Sequence, residues 1–337
     1  MPEVVLIVSV FLLTVMVTGR VRSLALRTHM LALPSARSSH TQATPVGGGL
    51  AIVLAYVCAV LLLLLQQRLS LVESLVLAAS LPVAVAGFID DRSDLDHRLR
   101  LLVQAASAVF ALLLLGYLPP LAVGPFLLSG LVLSYVLAPL CMLWLINLYN
   151  FMDGIDGLAG METAFVSLAA AYMLAAAGDA PLALLCLFLF AGSAGFLVWN
   201  WAPARIFMGD VGSGFAGMSL GLIALLSHAH ASMSLWSWFV LLSVFVVDAT
   251  VTLVRRVLRG QPWAHAHRQH AYQHMASRYG HKAVVLAVLC INLLVLLPLA
   301  LLAGKHPEYG VYFTVLGIIP LLFISLYCGA GMESGRR

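Results

Sequence analysis

Eleven long apolar stretches limit what this chain can fold into. They lie near residues 3–19, 47–65, 70–88, 100–117, 128–147, 158–177, 181–199, 213–227, 236–255, 283–303 and 311–329. Runs such as Ala51–Leu65, Ala164–Ala177 and Val284–Leu302 approach or reach the roughly 17–25 residues of a spanning helix. Of the 337 residues 62% are hydrophobic and 9% charged, against about 25% charged in a soluble domain. No soluble core hides that much apolar surface. The expectation is an all-α integral membrane protein: one transmembrane domain over 1–337, a polytopic bundle of about eleven (10–11) helices with catalytic loops on the cytosolic side.

Arginine and lysine set the orientation. With eleven spans and the N-terminus outside, sixteen of the 18 basic residues fall inside. Only Arg68 and Lys305 fall outside. Asp90, Asp91, Asp94, Asp96, Asp153, Asp156 and Asp210 share the inner side, with Asp248 near the inner end of the ninth span. Charge at a membrane surface is costly and marks function. Cys58, Cys141, Cys186, Cys290 and Cys328 all lie in apolar runs without CxxC spacing and read as inert thiols. The first run lacks a basic leader segment and reads as an uncleaved helix.

Four polar stretches interrupt the apolar pattern. Gly87–Arg98 (GFIDDRSDLDHR) places Asp90 and Asp91 directly after Phe88-Ile89. Adjacent carboxylates repel and call for a cation, an arginine or a proton-transfer role; the bland alternative is a solvated loop cap. Asn147–Gly160 (NLYNFMDGIDGLAG) sets Asn147, Asn150, Asp153 and Asp156 among glycines between two apolar runs. If Asp153 and Asp156 begin a helix they share a face. Two helix caps would be the plainer reading, but caps need fewer oxygen donors.

Phe207–Gly217 (FMGDVGSGFAG) brackets Asp210 with glycines. It lacks the lysine of a P-loop, and a lone carboxylate there suits Mg²⁺ beside phosphate oxygens. Arg255–His274 gathers His265, His267, Arg268, His270 and His274 behind three arginines. Its spacing fits no zinc template. A diphosphate clamp suits arginine's bidentate donors; a purely topogenic loop explains the arginines but not the histidines. A fifth stretch, Leu33–Leu50, carries Arg37, His40 and three glycines.

In this order, from about Arg37 to Gln273, the five stretches resemble the polyprenyl-phosphate N-acetylhexosamine-1-phosphate transferases, polytopic enzymes of glycosyltransferase family 4 type. The HAHRQHAYQ segment is most similar to the branch that initiates O-antigen or capsule units. Ala32 and Val46 depart from the pattern, where an acid and an arginine are common, and this leaves the first loop without an implied substrate role.

The resemblance implies transfer of an N-acetylhexosamine-1-phosphate from a UDP-sugar to undecaprenyl phosphate, releasing UMP. It implies Mg²⁺, with Mn²⁺ as a substitute, and places the enzyme in the bacterial cytoplasmic membrane, feeding lipopolysaccharide and cell-wall synthesis. Asp90 and Asp91 would handle the lipid phosphate. Asp210 would bind the metal, helped by Asp91 or Asp153. Asn147, Asn150, Asp153 and Asp156 would line the nucleotide side. His265, His267, Arg268 and His270 would bind the diphosphate or sugar. No nucleic-acid partner is expected, and a homodimer is compatible with the sequence. The alternatives are the phospho-N-acetylmuramoyl-pentapeptide transferases of peptidoglycan synthesis and, more distantly, an ion-coupled transporter. A transporter would carry its charges at mid-bilayer.

Overall fold

The computed structural model describes residues 2–33, 42–261 and 267–333. The chain is an all-α polytopic membrane protein. Every apolar stretch read from the sequence is helical. In lipid only a helix, or a closed barrel, satisfies each backbone N–H and C=O internally.

The helices are α1 (Pro2–Arg27), α2 (Leu50–Leu65), α3 (Leu71–Ala78), α4 (Leu81–Ser93), α5 (His97–Leu115), α6 (Gly130–Met152), α7 (Leu158–Ala176), α8 (Ala180–Asn200) and α9 (Asp210–Ala229). They continue with α10 (Leu235–Leu241), α11 (Ser243–Leu258), α12 (Ala271–Tyr279), α13 (His281–Lys305) and α14 (Gly310–Tyr327). Among the described residues nine helical segments are long and apolar enough to cross a membrane, α3–α4 counting as one. The remaining two expected spans are shorter or bent. The α2 helix has 16 residues, and α10–α11 bend by 71°.

The differences from the sequence reading have local causes. The first helix runs on to Arg27, so Arg20, Arg22 and Arg27 stand on its last turns and not in a loop. Pro119, Pro120 and Pro125 lie in and beside a two-stranded hairpin, Leu121–Val123 with Phe126–Leu128, because proline cannot donate inside a helix. Two π-turns, Leu133–Leu137 and Asn292–Leu296, each end two residues before a proline, Pro139 and Pro298. A widened turn accommodates the missing donor and the ring.

Starts are capped where water reaches. Ser70 and Glu73 form a reciprocal box at α3 (Glu73 N–H to Ser70 Oγ, 3.2 Å; Ser70 N–H to Glu73 Oε2, 2.6 Å). Asp179 caps α8. The α12 helix is short and amphipathic, a feature the sequence reading left inside a loop. Two expectations need correction. Asp153 and Asp156 do not begin a helix: α7 starts at Leu158, and both acids lie in the turn before it. Asn147 and Asn150 sit on the last turns of α6.

The α9 helix is wholly buried in the bundle, surrounded by α2, α4 and α6. Connections alternate between two faces. On one, Arg68 pairs with Glu3 (2.8 Å), His230 touches Glu73 and Asp179 (2.9 Å each), and Trp236 Nε1 donates to Ala122 O (2.6 Å). On the other, Gly48 N–H donates to Phe207 O, Asp91 meets Asp210, and Tyr272 meets Phe151. Chain order and contacts therefore put the described parts of the polar stretches on one face.

Candidate active site

The site forms where α4, α5, α6 and α9 end or begin together. Gly87 makes this possible. A Cβ there would overlap the backbone of Asp210 and Val211, so only glycine lets α4 reach the start of α9. One turn on, Asp91 accepts the backbone N–H groups of Asp210 (2.8 Å) and Val211 (3.2 Å). These are orphan donors of the first turn of α9, and a carboxylate at a helix N-terminus is favoured by the dipole as well. Gly209, at φ +77°, turns the chain into this helix with the Asp91 carboxyl against its Cα.

Three side chains then converge on Asp210. Arg100 Nη1 donates to Asp210 Oδ2 (2.5 Å) and to Asp90 Oδ2 (2.6 Å). Asn150 Nδ2 donates to Asp210 Oδ1 (2.6 Å) and Ser213 Oγ (3.2 Å). Asp90 Oδ1 also accepts the Leu95 N–H (2.7 Å). Asn147 stands one turn further in and donates to Gln104 Oε1 (2.8 Å). Val83, Ala86, Gly87, Arg100, Gln104, Asn150, Asp210 and Gly214 line a small cleft here.

Asp153 completes the acidic group. Burial, then the charges of Asp210, Asp91 and Asp156, push its carboxyl well above the usual carboxylate range. Asp156 lies to one side, accepting the Ala204 N–H (3.0 Å), with its Oδ2 3.3 Å from His281 Nδ1.

Arg100 thus bridges Asp90 and Asp210, two of a group of four carboxylates completed by Asp91 and Asp153. Among the described residues no three His, Cys, Asp or Glu side chains are placed to hold a metal ion by themselves, so substrate oxygens would have to complete the shell. The donor set nonetheless suits a hard divalent cation. It is carboxylate-rich, short of positive charge, and Asp153 is raised by its acidic neighbours.

The histidine segment reaches this group through aromatic contacts. Tyr272 Oη donates to Phe151 O (2.8 Å), two residues before Asp153, and packs against Gly154. His267 and His270 stack at 5.0 Å between centroids, His270 stacks on Tyr272 at 5.5 Å, and Phe151 flanks both histidines. Burial, with His270 and Arg256 beside it, lowers the His267 imidazole to about 3. Arg268 is half-buried on the same segment. His265 lies outside the described residues.

Asp248 holds this segment. It accepts the Ala271 and Tyr272 N–H groups (3.0 and 2.9 Å) and the Thr252 hydroxyl (3.2 Å), and lies 3.3 Å from His270 Nδ1. Sequence reasoning placed Asp248 near the inner surface but gave it no partner. It gave Arg100, Gln104, Tyr272 and His281 no site role. Arg100 carried one usable signal, the short Asp94–Asp96 turn that folds α5 back onto α4.

Comparisons with known proteins identify the family. The profile described as glycosyl transferase family 4 matches residues 73–228, from α3 through most of α9. The chain is similar to a probable undecaprenyl-phosphate N-acetylglucosaminyl 1-phosphate transferase of Bacillus subtilis (strain 168), 30% identical over 87% of this chain and 83% of that protein. A decaprenyl-phosphate N-acetylglucosaminephosphotransferase of Mycolicibacterium smegmatis is 31% identical over 84% of this chain and 78% of the relative. An undecaprenyl-phosphate alpha-N-acetylglucosaminyl 1-phosphate transferase of Yersinia pestis is 27% identical over 96% and 90%. The chain therefore belongs to the polyprenyl-phosphate N-acetylhexosamine-1-phosphate transferase family.

Proposed function

We propose that this protein transfers N-acetylhexosamine-1-phosphate from a UDP-sugar to undecaprenyl phosphate at the cytosolic surface of a bacterial inner membrane. An oxygen of the lipid phosphate forms a bond to the β-phosphorus of the UDP-sugar. The bond from that phosphorus to the oxygen bridging the α-phosphate breaks, and UMP leaves with the electron pair. The product is the lipid diphosphate-sugar, which opens synthesis of an O-antigen or related surface polysaccharide. The printed names of the relatives make N-acetylglucosamine the first sugar to test.

One observation carries this reading. Asp90, Arg100, Asp210 and Asn150 form a single hydrogen-bonded chain at the ends of apolar spans. A water-soluble diphosphate and an insoluble lipid phosphate can meet only at such a boundary. Both substrates are anionic, so the site has to offset repulsion between them and hold charge on the leaving phosphate. Arg100, Arg268 and the histidines supply donors. Asp210, with Asp153 beside it, would hold Mg²⁺, or Mn²⁺, which when bound polarises phosphoryl oxygens. Of the adjacent pair, Asp90 has a side-chain partner, Arg100, where Asp91 has only backbone amides, and Asp90 takes the proton of the lipid phosphate. Asp91 acts by fixing Asp210. Asn150 and Asp156 face the nucleotide with the histidine segment. The carboxylates of this site lie where spans end and not within them, which disfavours a carrier.

Purified protein with undecaprenyl phosphate, Mg²⁺ and a panel of UDP-sugars, including UDP-N-acetylmuramoyl-pentapeptide, tests the assignment by UMP release. Release with a UDP-N-acetylhexosamine, absent without lipid phosphate, is expected. Release only with the muramoyl-pentapeptide substrate would move the protein to the peptidoglycan branch.

A further inference from the structure

The carboxylate face holds a second polar feature that the transfer chemistry does not use. Two arginines from distant parts of the chain converge on one tryptophan. Arg22, near the end of α1, and Arg205, in the loop after α8, each place the guanidinium carbon 5.9 Å from the centre of the Trp199 ring. The arrangement is built, not incidental. Trp199 Nε1 donates to Val15 O on α1 (2.9 Å). Gly19 leaves room for the indole, whose edge a Cβ there would meet at 3.0 Å. Arg22 Nε donates to Arg205 O (3.2 Å), and Arg205 N–H donates to Trp199 O (2.8 Å).

Among the described residues neither guanidinium is paired with a carboxylate. Two cations drawn to one ring repel each other, and their remaining N–H donors point to an anion. The ring quadrupole attracts each cation only weakly, whereas phosphate accepts from guanidinium with strong, charge-assisted bonds. The surroundings specify which phosphate. Tryptophan and arginine together mark the headgroup level of a bilayer. Leu12, Leu13 and Met16 of α1 and Val198 beside Trp199 are exposed apolar side chains. Acyl chains would lie along them, below a headgroup held at the two arginines.

We propose that Arg22, Arg205 and Trp199 form a headgroup site for an anionic phospholipid. The site borders the catalytic side through one short loop: Ala204, next to Arg205, donates its N–H to Asp156 (3.0 Å), and Asn200 Nδ2 donates to Ile206 O (2.9 Å). The proposal stands on these contacts and does not depend on the sugar or the reaction assigned above.

Native mass spectrometry of the full chain released from nanodiscs tests it. Nanodiscs of phosphatidylcholine alone are compared with nanodiscs containing about a third phosphatidylglycerol. The wild type should retain phosphatidylglycerol adducts in preference to phosphatidylcholine. In R22Q/R205Q retention should fall on the order of tenfold or more, since each basic residue near an anionic surface contributes about fivefold. R205Q alone disturbs none of the hydrogen bonds named above, so it reports on the site even if the double variant is less stable. It should lose several-fold. R278Q, a cytosolic-face arginine on α12 away from this site, should match the wild type. Millimolar inorganic phosphate should displace nothing, because the acyl chains are part of the recognition. Equal adduct retention in wild type, R205Q and R22Q/R205Q would overturn the proposal, and so would displacement by free phosphate.

Discussion

Asp91 Oδ1 accepts the backbone N–H of Asp210 at 2.8 Å, which joins the end of α4 to the first turn of α9. Both Asp91 oxygens are engaged this way, the second by Val211. The adjacent acids of the Asp90-Asp91 pair therefore have different work, although the sequence presents them as twins. We predict that Asp91→Asn, which turns one acceptor into a donor aimed at an N–H, lowers the melting temperature as well as turnover. A lost cap costs about 1 kcal/mol. Thermal unfolding in detergent checks this; an unchanged midpoint would show that the amides find another partner.

Arg100 stands between Asp90 and Asp210 at 2.6 and 2.5 Å. Removing its charge leaves the carboxylates facing one another, and a divalent cation should then bind more tightly, because more negative charge draws it in. Arg100→Ala is expected to lower turnover by about 10²-fold or more while the Mg²⁺ concentration for half-maximal activity falls. Titration of UMP release with Mg²⁺ measures both. A higher Mg²⁺ requirement in the variant would show that Arg100 helps to build the cation site and is not a counter-charge competing with it.

Gly87→Ala tests the close approach of α4 to α9. Its Cβ would meet the Asp210 carbonyl and the Val211 nitrogen, which are backbone atoms and cannot rotate away. Overpacking of this kind costs about 1–3 kcal/mol, and the displaced Asp210 should cost most of the activity. Gly178→Ala is a weaker comparison: nothing lies within 4 Å of its Cβ, though its φ of +84° adds strain. Activity above a tenth of wild type in Gly87→Ala, measured as UMP release, would mean that the two helices can separate without harm to the site.

How much of this was legible in the sequence depended on contrast. Asp90, Asp91, Asn150, Asp153 and Asp210 stood out because polar residues are rare in this chain and each follows or precedes an apolar run. Arg100 did not, since a basic residue at the end of a span is also what membrane topology alone requires. Asp248 was hidden for another reason. Its partners, the amides of Ala271 and Tyr272, lie beyond a loop, and no local pattern links a carboxylate to backbone more than twenty residues away. The α12 helix was missed because a histidine-rich segment carries no apolar periodicity strong enough to separate it from a loop. The spacing of Asp153 and Asp156 left open whether they begin a helix; Gly157, at φ +81°, keeps them in the turn before Leu158.

The histidine segment should respond to acid. His267 is held neutral, with its pKa lowered to about 3, whereas an exposed imidazole titrates near 6.5. Between those values an opened segment binds a proton that the closed one refuses, so stability of the closed form falls as pH drops from about 6.5 toward 3. Hydrogen exchange of α12 should accelerate between pH 7 and pH 5 after correction for intrinsic exchange, and less so in His267→Phe. Equal acceleration in both proteins would show that His267 is not the source of the sensitivity.

The topology follows from one face carrying both the acids and the basic residues. Ser277, on α12, is exposed on the carboxylate face, and Gln67, beside the Arg68–Glu3 pair, lies on the opposite one. In a background lacking the five native cysteines, Ser277→Cys should react with an impermeant maleimide only after the membrane is opened. Gln67→Cys should react in intact cells. The reasoning is the same for both: the eleven-span reading puts sixteen of the 18 basic residues on the Ser277 side, and basic residues are retained in the cytosol. The proposed reaction would require it as well, since a UDP-sugar is made in the cytosol and would have to meet Asp210 from water. Labelling of Ser277→Cys in intact cells would invert the protein and remove the nucleotide from reach of its site, whatever the chemistry of the carboxylates.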